Sequence, residues 1–342
     1  MDNATNKGYD LSISLARVIA MIFIVVCHLG SYYGITAISQ FFNVGVHIFF
    51  IISGYLYGDK EIKNAVHWLF QRYIRLEIPA CLWLIITCVT AWINHQPSPE
   101  LHERIFIILN LQGLRFIFSS MKDLFIGPWF FTNIMGCYIL LLCYLRIEKK
   151  HPGISHVFDN CGVIPLLLFV FLGMIHISTD GALAFFIGFT LQRKKYFEKQ
   201  SKYNVFVAIG YFAFSIFGWL IGKRYLDGTV FYNEIVAPGA HVTIAISALI
   251  GIKWMFVMLP RIMTGIADSR IIRHLDKISI YIYISHDMLF AGPVLYILTW
   301  DQPILQLLLI YALAVVIFAT LLYYLGTFIT NGVTRLMEYL FL

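Results

Sequence analysis

Apolar runs of about twenty residues recur along this chain from near its start to near its end, and about twenty apolar residues is what one helix needs to cross a bilayer. The pattern predicts an all-α polytopic membrane bundle of about ten transmembrane helices. The spans fall near 11–31, 41–58, 78–94, 128–145, 162–177, 180–192, 204–222, 238–258, 278–298 and 304–329. Composition agrees, with 59% of the 342 residues hydrophobic and only 13% charged.

Basic residues set the orientation. With the N-terminus inside, eighteen of the 25 Lys and Arg fall in inside segments and five outside, so both termini are expected to be cytoplasmic. The net charge of +6 is then mostly a topology signal and not a nucleic-acid footprint. The opening MDNATNKGYD lacks the pattern of a removable signal peptide. Cys27, Cys81, Cys88, Cys137 and Cys143 lie in spans and Cys161 at the edge of one, without zinc-like spacing; they read as free thiols, and no metal is expected. The chain reads as one transmembrane domain over 1–342 with no appended soluble domain.

The first run, LSISLARVIAMIFIVVCHLGS, carries two ionisable side chains that lipid tolerates poorly. Arg17 and His28 are eleven residues apart, close to three helical turns, so they share one face at a separation of roughly 16 Å. Intramembrane charges usually face a bundle interior and mark function. Snorkelling of Arg17 to the headgroups, with His28 at the far end of the span, fits the spacing as well.

The run FFNVGVHIFFIISGYLYG holds Gly45, Ser53 and Gly54, small residues that let helices approach closely, and Ser53 can bond a carbonyl or a partner group. His47 reads as solvated or interfacial near the outer end. The next inside segment places Arg72 and Arg75 three apart on one face of a short helix ending at Pro79. Two guanidiniums there suit a phosphate-bearing cytosolic ligand, or simply topology and lipid headgroups. The segment 95–127 fits an interfacial or re-entrant helix. Pro128 and Trp129 open the fourth span. The ninth begins ISIYIYISHD, which sets His286 and Asp287 about eight residues, or roughly 12 Å, in from the inner face.

Taken together, Arg17 and His28, GVHIFFIISGYL, Arg72 and Arg75 before Pro79, PWFF, and SIYIYISH resemble, in order and spacing, the acyltransferase-3 family of integral membrane O-acyltransferases, over nearly the whole chain. The resemblance implies transfer of an acyl group, commonly acetyl from acetyl-CoA, to a hydroxyl of a bacterial surface or lipid-linked saccharide. It makes Arg17 and His28 the active-site pair, assigns Arg72 and Arg75 to the motif beside the cytoplasmic face, where their position suits binding of the cytosolic donor, and gives Trp129, Ser279, Tyr283 and His286 supporting places. Two positions depart from the family pattern. An aspartate often found three residues before the arginine is Ser14 here, with Asp10 as a stand-in, and the proline that often follows the last histidine is Asp287.

The chemistry fits. A sugar hydroxyl needs a general base, and a neutral histidine is the usual one, which assigns that role to His28. Acyl-CoA, a saccharide or lipid-linked glycan and membrane lipids are the expected partners, in a bacterial cytoplasmic membrane. The competing class is a transporter or flippase of a glycan or lipid, whose intramembrane Arg and His would line a substrate path, though no internal repeat supports it. Because Arg17 and His28 sit at different depths, the enzyme reading requires a passage. The CoA headgroup would stay at the cytosolic arginines, Arg17 and His286 would line the acyl route, and His28 would meet the acceptor in the outer half.

Overall fold

The first helix starts where the sequence offers a cap. Asp10 takes extended backbone and its carboxylate accepts from the Ser12 and Ile13 amides, releasing α1, Leu11–Tyr32. From there the computed structural model, which describes residues 10–95, 97–114, 129–153, 163–174, 179–199, 204–290 and 304–341, is helical, with no strand among the described residues. The helices are α2 (Thr36–Phe42), α3 (Val44–Tyr55), α4 (Ala65–Ile93), α5 (Leu101–Ile108), α6 (Trp129–Lys150) and α7 (Val163–Met174). They continue as α8 (Asp180–Arg193), α9 (Asn204–Leu226), α10 (Ala237–Met258, entered through a π turn at Tyr232–Val236), α11 (Pro260–Ala267), α12 (Arg270–Phe290) and α13 (Ile304–Phe341).

Seven of the described helical stretches are long and apolar enough to cross a membrane: Leu11–Tyr32, Thr36–Tyr55, Ala65–Ile93, Trp129–Lys150, Val205–Leu226, Tyr232–Met258 and Leu309–Met337. Three expected spans are not among them. Helices α7 and α8 have 12 and 14 described residues, less than the length that covers a bilayer core, and α12 carries Arg270, Arg273, Asp276 and Lys277 in its first turns. The short helix expected to stop at Pro79 is also corrected: α4 runs through Pro79 without interruption, so Arg72 and Arg75 stand on the same rod as the span.

The core forms where α1, α3, α8, α10 and α12 meet, around Ile13, Ile48, Phe50, Ile51, Phe185, Leu249 and Ile282. Helices α3 and α8 approach most closely. A Cβ on Gly54 would overlap the Phe185 carbonyl, and one on Gly188 the Ile51 carbonyl, so each helix supplies the glycine the other requires. Outside this core, α9 and α13 expose large side chains such as Phe206, Phe214, Leu313 and Phe328, as lipid-facing helices do.

One end of the bundle is tied by polar contacts. Lys253 near the end of α10 pairs with Asp10 at the start of α1 and lies 5.2 Å from the Tyr55 ring at the end of α3. Arg193, closing α8, holds Glu148 of α6 at 2.6 and 2.8 Å. Gln192 donates to Asp59 at 2.6 Å.

Candidate functional site

Helices α1 and α12 lie side by side and run parallel, and their polar side chains meet at two levels. Arg17 and Asp276 are each six residues from the start of their helix, about 9 Å along it. Nη2 of Arg17 donates to Oδ2 of Asp276 at 3.0 Å, and Nε lies 2.9 Å from Oδ1. Eleven residues further along α1 and ten further along α12, roughly 15 Å up, the rings of His28 and His286 meet edge to face with centroids 4.7 Å apart.

The second level corrects the depth expected for His286. Counted from its true start at Arg270, α12 carries His286 sixteen residues in, level with His28, and not on a lower stretch of the acyl route. His286 is 1% exposed, and its Nδ1 is 3.1 Å from the Ile282 carbonyl. A carbonyl only accepts, so Nδ1 carries a proton. The hydroxyl of Tyr311 on α13 donates to the His286 carbonyl at 2.9 Å. His28 is half-buried.

Asp276, Ser279, Tyr283 and His286 fall at i, i+3, i+7 and i+10, one face of α12. Ser279 is buried in that face. The Tyr283 ring lies 5.8 Å from His286 and 5.7 Å from both Phe130 and Phe131 of α6, so it walls the histidine pair with aromatic carbon. Trp129 opens α6 one residue before that wall and is half-buried. The side chain of Asp287 lies outside the described residues, as do residues 115–127 of the expected outside segment.

A second site occupies the tied end of the bundle. The Arg72 guanidinium lies 5.4 Å from the Tyr57 ring and 5.6 Å from that of Trp68, and Lys60 lies 5.6 Å from the same tyrosine. Tyr57, Trp68 and Tyr138 pack edge to face at 5.1 to 5.6 Å. Ser53 directly precedes Gly54 of the tight helix seam, at the end of α3 that leads into Tyr57. Arg75 is exposed one turn on. Among the described residues no carboxylate pairs with Lys60, Arg72 or Arg75. Burial first, and the Arg72 charge second, push the Lys60 ammonium below its ordinary value.

Asp10 does not stand in beside Arg17. Its carboxylate caps α1 and pairs with Lys253, and the partner of Arg17 comes from another helix. No group of three or more His, Cys, Asp or Glu able to hold a metal occurs among the described residues.

A family profile described as an acyltransferase domain matches residues 10–328, nearly the whole chain. The chain belongs to the acyltransferase-3 family. No curated protein and no solved structure matches it. With its long apolar helices, this acyltransferase-3 protein is an integral membrane acyltransferase.

Two features of this acyltransferase-3 chain escaped the sequence reading. Asp276 had a signal, because it continues the stripe of Ser279, Tyr283 and His286 by one turn. His47 had little. Expected at a solvated edge, it is 2% exposed; its Nε2 donates to Asp180 of α8 at 2.7 Å, and its ring lies 5.5 Å from that of His241 on α10. Burial follows from its place one and two turns before Ile51 and Gly54, on the face that α3 presses against α8.

Proposed function

We propose that this protein moves an acetyl group from cytosolic acetyl-CoA to a hydroxyl of a cell-surface or lipid-linked saccharide, in a bacterial cytoplasmic membrane with both termini inside. The observation that carries the reading is the uncompensated positive charge of Lys60, Arg72 and Arg75 at the tied end of the bundle. Planar guanidiniums grip phosphates bidentately, and a CoA headgroup brings several. The positive-inside bias supports a cytosolic position for this end, on the side from which acetyl-CoA would come.

His28 acts as general base. Its imidazole takes the hydroxyl proton as the sugar oxygen forms its bond to the thioester carbonyl carbon, and the carbonyl becomes an oxyanion. Arg17, on the same face of α1 about 16 Å below His28, lines the acyl route and donates to the carbonyl oxygen as it passes. The C–S bond then breaks, and the CoA thiolate recovers the proton from the imidazolium. His286, in ring contact, sets the orientation of His28.

Purified protein in detergent with labelled acetyl-CoA tests the reading. Wild type binds acetyl-CoA and hydrolyses it slowly, and His28→Ala keeps binding while losing hydrolysis by about 10²-fold or more. A wild-type protein that does not bind acetyl-CoA, or a His28→Ala variant that hydrolyses it at the wild-type rate, refutes it.

A further inference from the structure

A guanidinium has five N–H donors in a rigid plane. Against Asp276, Nη2 donates to Oδ2 at 3.0 Å and Nε lies 2.9 Å from Oδ1 without hydrogen-bond geometry, so the carboxylate holds that side of the guanidinium and leaves the Nη1 edge turned away from it. The two partners are not equally placed. The Asp276 side chain is 4% exposed and that of Arg17 is 31% exposed, so the carboxylate lies behind and the guanidinium stands out in front of it. An arginine with a flexible stem points in many directions; one backed by a buried carboxylate from a neighbouring helix points in one.

We propose that Asp276 is a positioning residue for Arg17, fixing one edge of the guanidinium from α12 so that the opposite edge is presented to the thioester carbonyl. This rests on the reading that Arg17 lies on the acyl route. Asp276 itself touches no substrate in this account and acts only through Arg17. A tie serving packing alone would be redundant with the Lys253 and Asp10 pair that already anchors the same end of α1.

The test uses acetyl-CoA hydrolysis by the full chain in detergent and separates kcat from KM. Asp276→Asn is expected to lower kcat by about 10²-fold, the scale of a misaligned approach of the carbonyl to His28, with KM within about threefold because the headgroup is held elsewhere. Position 14 is one turn before Arg17 on α1, so Ser14→Asp brings a carboxylate to the same guanidinium from its own helix. In Ser14→Asp/Asp276→Ser, kcat is expected to return to about a tenth of wild type or better. The fall in kcat at near-constant KM is what a purely structural role for Asp276 would not give.

Asp276→Asn with kcat within twofold of wild type, while Arg17→Ala is inactive, overturns the proposal and leaves the acyl-route reading standing. Arg17→Ala with full activity overturns both. If Asp276→Asn does not purify as a single species, the double variant decides: a folded double variant with kcat at the Arg17→Ala level overturns the proposal. If the double variant fails to fold as well, Asp276→Glu is read instead, with reduced kcat and wild-type KM expected and an unchanged kcat overturning it.

Discussion

Arg17 and Arg72 are the same residue in two different electrical settings. Arg17 is backed at 2.9 to 3.0 Å by a buried carboxylate, so its net charge is largely cancelled and what remains is a set of directed N–H groups. Arg72 lies over two aromatic rings next to Lys60 and Arg75, with no carboxylate partner among the described residues, and keeps its full charge. Cancelled charge with fixed direction suits a directed hydrogen bond to a neutral carbonyl that must move on. Uncancelled charge on an aromatic bed suits a ligand that arrives with its own negative charge.

The contrast breaks most visibly in stability. Arg17→Ala takes the guanidinium away from the buried Asp276 carboxylate, a change expected to cost about 3–5 kcal/mol, whereas Arg17→Ala/Asp276→Ala should return most of that. Apparent melting temperatures in detergent check it; an Arg17→Ala variant as stable as wild type would mean that the two arginines are not differently placed.

The next effect is on affinity. Arg72→Ala should raise the acetyl-CoA Kd by about 10- to 100-fold, or about 1.4 to 2.8 kcal/mol, and relieve repulsion with Lys60 with little change in melting temperature. Arg72→Lys should recover only part of the loss, since a point charge does not reproduce the planar fork. Titrations at low and high salt sharpen the point, because wild-type binding should weaken with salt more than Arg72→Ala binding does. An unchanged Kd would reduce Arg72 to a topology residue.

The smallest effect belongs to the pair of Asp10, which caps the helix of Arg17, with Lys253 of α10. Burial pushes the Asp10 carboxyl up, but the Lys253 charge and the bonds from Lys253 and Ser12 outweigh it, so its pKa ends below the ordinary 3.8. A carboxyl with a lowered folded pKa contributes stability above its unfolded value, and that contribution fades as pH falls through the folded one. Melting temperatures of wild type and Asp10→Asn should therefore differ at pH 6 and converge below about pH 4. A constant difference across that range would remove Asp10 from the account.

Much of this was legible in the sequence because it is local. Long apolar runs become helices in lipid with little choice, and the spacing of Arg17 and His28 fixes a shared face whatever surrounds it. What failed was long-range. Arg17 finds its carboxylate 259 positions away, while the nearer Asp10 goes to Lys253, 243 positions away. No periodicity carries such pairings. The depth of His286 was misjudged for another reason: α12 begins with a charged, water-compatible turn that a hydropathy count leaves outside the span. His47 was misjudged because a polar residue beside a glycine looks like an edge, yet here the glycine two turns on pulls the helices together around it.

That glycine seam has a mechanical consequence. Where α3 and α8 touch backbone to backbone at Gly54 and Gly188, neither rod can roll or slide past the other without first lifting off it. The pair is a fixed post, and the adjacent aromatic bed of Tyr57 and Tyr138 packs onto it through the Phe185 ring, 5.9 Å from that of Tyr138. Any breathing of the bundle that admits a large acceptor must therefore hinge at other seams, with the post and its cationic foot staying still while the remaining helices move around them.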